Sequence, residues 1–320
     1  MFIYCSATGS PCSAPYIFIA RYNGFPLNRI KCKTIKTKAM KTKFFSFLAG
    51  TLIIGGALMP YTGFSQDDKA FIDRYLSSLP KVNTASIQRK YRMTAVHINR
   101  DLHGAFQSKS RVTGDYTRGF SDGHMTWNNV YIAHSNSLND PFPTGTRQEY
   151  IENFSYLPSD NMLSAEAFKN FPANPDNVLA RNLIWDMMTF ETYAWMFWDS
   201  LELNVPHVIR QTDGEFSMAE IGTYNHNVMT TCWKGITAID GELCAVIDFT
   251  AIDNLIELTM EVIKAKGTEQ YWGTAWVSLK TRNIEKAVMY GGVMLDSEIK
   301  GMPQNYLMKT VRELWVEPIN

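Results

Sequence analysis

The chain has 320 residues, 45% of them hydrophobic and 13% aromatic, which excludes a disordered or low-complexity protein and suits one large β-rich domain or two small ones. Its 31 basic and 31 acidic residues balance only on paper. Residues 1–65 hold eight basic residues and no acid, so the remainder carries 23 basic against 31 acidic residues, about −8, which argues against nucleic acid as a partner.

The basic excess belongs to a secretory pattern. Met40-Lys-Thr-Lys43 is a positive n-region, Phe44 to Leu58 a short apolar h-region, and Gly63-Phe64-Ser65 places small residues before Gln66. A membrane-spanning helix needs roughly 20 apolar residues. The expectation is therefore cleavage before Gln66 and export to the periplasm or outer envelope, with residues 1–39 a spurious or disordered extension. Cys5, Cys12 and Cys32 would leave with that segment, and Cys232 and Cys244 would remain.

After Gln66, Asp67 to Leu79 has helical apolar spacing and Pro80 ends it. Tyr91 to Asn99, Arg111 to Phe120 and Met125 to His134 read as strands, with Ser121-Asp-Gly123 a turn. From Ser135 to Asn174 the chain is rich in Asn, Pro, Ser and Asp. That composition reads as a long ordered loop or insertion, with one short helix near Ala165 to Lys169. Asn174 and Pro175 open a helix expected to reach Leu201, with more apolar surface than one contact can cover. The helical and loop insertion thus spans about 135–205.

The remainder reads as an antiparallel meander. Asp240-Gly241 between two β-rich runs predicts a type I′ hairpin in which opposed residue numbers sum to 481. That register places Cys232 opposite Phe249 and Cys244 opposite Thr237, on opposite faces and roughly 16 Å apart, too far for a disulfide. The alternation continues through Ile256, Leu258, Met260 and Val262, and Lys266-Gly267-Thr268-Glu269 is expected to end it. Tyr271 to Lys280, Ile284 to Ile299 and Tyr306 to Val316 follow as strands, with a bulge or bend expected at Gly291-Gly292.

Phosphate loops, the Gly-x-Ser-x-Gly elbow, His-Glu-x-x-His and paired Cys-x-x-Cys spacings are all missing from the sequence, and its six His residues are scattered. No catalytic residue, metal site or cofactor is expected. Asp186, Glu191, Asp199 and Glu202 lie on or beside the aromatic helix, where a carboxylate pair beside Trp would suit glycan chemistry, although acids are ordinary on a wet helix face. Gly273-Thr-Ala-Trp-Val-Ser-Leu-Lys-Thr281 followed by Ile284-Glu-Lys-Ala287, together with the order of helix, strands, helical insertion and meander, resembles the lipoprotein-carrier (LolA-like) superfamily of bacterial envelope proteins. The resemblance implies a curved sheet whose apolar concave face shelters acyl chains.

The fold expected is mainly β (α+β), a curved antiparallel sheet or half-open barrel with a long aromatic helix on its concave face. A cavity there would be walled by Trp185, Met188, Trp195, Trp198, Met260 and Trp276, with Leu258 and Val262 beside them, and would take a hydrophobic small molecule or lipid. Contact with a membrane surface or another envelope protein is the further partner expectation. A non-catalytic envelope module, and a glycan or lipid hydrolase, are the competing readings.

Overall fold

The computed structural model describes residues 74, 77, 78, 88–172, 175–196, 201–209 and 214–319. The chain divides into two compact units, Met1–Leu58 and Met59–Asn320, and every described residue lies in the second. The expected extension, the signal segment, Asn174, Trp198 and Asp199 lie outside the described residues; of the expected helix at 67–79, Arg74, Ser77 and Ser78 are described and helical.

The described strands are β1 (Arg89–Arg100), β2 (Phe106–Arg118), β3 (Met125–Ser135), β4 (Thr146–Arg147), β5 (Phe154–Tyr156), β6 (Pro206–Ile209), β7 (Gly214–Ser217), β8 (Gly222–His226), β9 (Val228–Ile239), β10 (Glu242–Thr259), β11 (Ile263–Ser278), β12 (Ile284–Ile299) and β13 (Tyr306–Ile319). They form one antiparallel sheet that does not close, in the order β4-β3-β2-β1-β13-β12-β11-β10-β8-β7, with β5 beside β3, β9 on β10 and β6 on β9. One helix, α1 (Pro175–Glu191), lies on the inner face and passes into a π-helical turn, Thr192–Met196.

Strand alternation decides which side chains meet the helix. Tyr91, Met93, Ala95 and His97 of β1, Val112 and Tyr116 of β2, and Tyr271, Ala275 and Val277 of β11 are buried on the inner face. Two glycines let the layers close. A side chain at Gly114 would meet Leu183 of α1 at 3.0 Å, and one at Gly273 would strike Val288 O at 2.2 Å and the Phe249 ring at 2.5 Å. Phe249 is free to lie there, with Tyr193 stacked on it at 4.4 Å and Phe190 against its edge at 6.0 Å.

The Asp240-Gly241 turn forms as expected, with positive φ at both residues, and Ile239 faces Glu242. The 481 register holds to Val246 and Gly235 and then shifts at Lys234, so that Cys232 faces Asp248 and not Phe249. This bulge brings both cysteines to one face, but four residues along β10 still keep them roughly 13 Å apart. Both are buried free thiols.

Three other expectations are corrected. The alternation does not continue past Thr259: Met260 to Val262 form the β10–β11 turn, closed by Met260 N–H donating to Ile263 O at 2.8 Å. Gly267 lies within β11, where a side chain would meet Met294 O at 1.8 Å; it permits close backbone approach and does not end the strand. Gly291 and Gly292 pair regularly with Tyr271 and Gln270 and make no bulge, because their register is continuous across both neighbouring strands.

The insertion is ordered by 3₁₀ turns at Glu149–Ile151, Asp160–Leu163 and Ala165–Phe168 and by contacts among Tyr150, Phe154, Phe168 and Phe171. Within the helix, the Thr189 and Thr192 hydroxyls donate to the carbonyls of Trp185 and Met188, each at 2.9 Å, just where the helix widens. The expected α-helix to Leu201 thus ends at Glu191. Among the described residues no helix is long and apolar enough to cross a membrane.

Candidate functional site at the helix–sheet interface

Between the aromatic layer of Phe190, Tyr193, Phe249 and Tyr271 and either end of the interface lie two groups of buried charges. Both are in phase with the core residues of their strands, so the alternation that buries Leu314 and Val316 also buries Arg312, and that which buries Tyr116 also buries Arg118.

At one end, Arg312 donates through Nη1 to Glu269 Oε1 at 2.8 Å and through Nη2 to Asp186 Oδ2 of α1. Tyr224 donates to the other oxygen of Glu269 at 2.7 Å. Burial pushes the Asp186 carboxyl up to about 6, against the pull of Arg312. His97, directly opposite Arg312 in the ladder, is buried with Nε2 unpaired, and burial, then the nearby guanidinium, lowers its pKa to about 3. It is therefore neutral at ordinary pH. Asn254, opposite Glu269, is fully buried with an unpaired Nδ2.

At the other end, Tyr116 donates to Glu191 Oε1 at 2.5 Å, and burial pushes the Glu191 carboxyl up to about 7 even though Arg118 opposes the shift. The Arg118 guanidinium lies 3.7 Å from the centroid of the Trp195 ring, a cation–π contact. The Trp195 indole N–H donates to Arg282 O at 2.6 Å. One half-buried side chain on the π turn thereby links β2 to the loop between β11 and β12, which only a curved sheet permits. A cleft of about 630 Å³ is lined by Arg89 and, from the strand phase opposite to Tyr91 and Tyr116, by Lys90 and Thr117, with Phe120, Asn128 and Glu152 among others.

Of the six expected ligand residues, the five that are described lie apart from one another. Trp185 turns to the insertion, its indole N–H donating to Met162 O at 2.9 Å and its ring edge-on to Phe168. Met188 and Trp195 are both half-buried and packed against the core. Trp276 alternates with buried Ala275 and Val277 and so lies on the outer face, with the Lys286 ammonium 5.8 Å from its ring. Met260 is in the hairpin turn, Val262 is exposed beside it, and Leu258 is half-buried near the end of β10; Trp198 lies outside the described residues. Arg89, Tyr91, Arg118, Glu269 and Arg312 were not among the expected residues, although inward-phase charges in otherwise apolar strands were a readable signal. No group of three metal-ligating side chains occurs among the described residues.

No family model matches the chain, and no curated protein matches it. A crystal structure of a DUF1329 family protein from Desulfovibrio piger is similar at 10% identity over 78% of this chain and 90% of that one, with a TM-score of 0.12, too low to carry a fold or a function across. These comparisons do not connect the chain to the lipoprotein carriers.

Proposed function

We propose that this is an exported protein that binds a hydrophobic or lipid-like ligand under α1, with the π turn as its plug. Trp195 is the observation that carries the reading. It is a large side chain left half-buried at the edge of the core, with one backbone hydrogen bond and one arginine face as its polar contacts. Helix segments that depart from α geometry are frequent at functional sites, and a plug held by few contacts exchanges for an apolar chain at low cost.

The test is native mass spectrometry of the protein purified from its own envelope, with solvent extraction of bound lipid and titration with an anthracene-labelled fatty acid. Copurifying lipid and saturable probe binding are expected; a ligand-free protein that never binds the probe overturns the reading. N-terminal sequencing of the same sample is expected to begin at Gln66.

A second reading, a non-catalytic envelope interaction module, is favoured by the outer face. Trp272 and Tyr290 are 49% and 40% exposed there, their rings 6.3 Å apart, with Val311 and Met294 exposed on the same face. Exposed apolar surface of this kind is commonly an interaction site.

A further inference from the structure

Arg89 and Arg118 stand directly opposite each other in the β1–β2 ladder. Like charges in that position repel and persist only when something answers them. Glu285 answers Arg89 with one bond, to Nη2 at 2.5 Å, and leaves the buried Nε unpaired. Glu191 answers Arg118 poorly: its nearest oxygen is 3.7 Å from Nε, beyond hydrogen-bond distance, and that oxygen already accepts from Tyr116. Arg118 is itself more than nine-tenths buried, and its Nε and Nη1 are unpaired. Tyr91, two residues from Arg89 on the same face of β1, is fully buried with its hydroxyl also unpaired. Buried donors left unmade are expensive, by about 1–3 kcal/mol each and more when charged.

The unanswered groups are of one kind. Two guanidinium Nε–H groups, one further guanidinium nitrogen and one phenol present donors to a region that supplies too few acceptors. The charge has the same sign, because a Glu191 carboxyl pushed up to about 7 is about half protonated at neutral pH and leaves the pair of arginines in excess. Helix-terminal carbonyls at the end of α1 would be the ordinary partners for such arginines, yet Arg118 spends its guanidinium face on the Trp195 ring. The Arg89 side chain is 35% exposed and so joins the group to solvent.

We propose that Arg118, Arg89 and Tyr91 form a site for the carboxylate or phosphate head of an amphipathic ligand whose apolar chain passes beneath Trp195. This rests on the ligand-binding reading above and adds to it the chemistry of the head group. Guanidinium forks match both anions, and charge-assisted bonds to them are about twice as strong as neutral ones. The fit is to a single anionic head on an apolar chain, since the same mouth offers Trp195 immediately beside the donors.

The experiment uses the full mature chain, stripped of lipid, titrated with dodecanoate, dodecyl phosphate, dodecanol, acetate and inorganic phosphate. Dodecanoate or dodecyl phosphate is expected to bind about tenfold more tightly than dodecanol. That preference, taken as the ratio of the two affinities within each variant, is expected to fall below about twofold in Arg118→Gln. If Arg118→Gln does not fold by circular dichroism, the half-exposed Arg89→Gln carries the same comparison, with a smaller loss. Equal binding of all three amphiphiles overturns the head-group site and leaves the ligand-binding reading standing. Failure of every amphiphile to bind overturns both. Binding of acetate or inorganic phosphate as tight as that of the amphiphiles means a free-anion site and overturns the amphipathic ligand.

Discussion

Glu191 holds a carboxyl whose pKa burial pushes from 4.5 up to about 7, so the folded protein binds a proton that the unfolded chain has already released between those values. Stability therefore falls as pH rises through that window and levels off above it, by at most about 3 kcal/mol. Asp186 has the same sign over a lower window, from 3.8 to about 6. Glu191→Gln should remove the first contribution, so the variant is expected to gain on the wild type between pH 4 and pH 8; urea midpoints at pH 4, 6 and 8 measure this, and a constant difference would show that Glu191 is not the titrating group. Trp195 makes a contrasting case. A fully buried tryptophan costs about 3–5 kcal/mol on truncation to Ala, whereas half-buried Trp195 should cost less while weakening fatty-acid probe binding. Loss of the full amount with unchanged probe affinity would place Trp195 in the core and not at a plug.

Among the elements, the strands were legible and their junctions were not. Tyr91, Met93, Ala95 and His97 alternate with polar or less buried neighbours, Thr94 alone of these being buried, and Asp240-Gly241 announces a turn with two positive φ values, so β1 and the β9–β10 hairpin could be read directly. Val262 continues the apolar alternation of Ile256 and Leu258 into the turn, and periodicity cannot distinguish the last strand residue from the first turn residue. Glycine is ambiguous for a physical reason: Gly241 supplies a left-handed conformation, whereas Gly267 and Gly273 supply room. Gly273→Ala should thus cost about 1–3 kcal/mol by overpacking against Phe249 and Val288. Gly292→Ala, with nothing within 4 Å of the added carbon, should be neutral or slightly stabilising. Thermal unfolding of the two variants side by side checks the distinction, and equal losses would refute it. The candidate site was hidden for a different reason. Arg118, Glu191 and Arg282 come from β2, α1 and the β11–β12 loop, and only the sheet's curvature, which no local pattern encodes, brings them to Trp195.

At the scale of the whole sheet, Cys232 and Cys244 are buried and not bridged, so there is no bond between them for a reductant to break. The Cys232 and Cys244 thiols are expected to stay unreactive toward Ellman's reagent until denaturant unfolds the sheet, and to appear together with the loss of circular dichroism; early reaction of either would mean that β9 or β10 opens locally. A different consequence follows from the seam. β13 fills the place between β1 and β12, with Lys90 opposite Ile319 and Ala287 opposite Val316. Until β13 arrives, the two halves of the sheet share no ladder, and each presents an open edge along a strand of more than ten residues. A chain made N-terminus first therefore has no finished sheet to fold into until its last strand has been synthesised. Such delay leaves the β1 and β12 edges open to chaperones or to other copies of the chain for as long as β13 is missing.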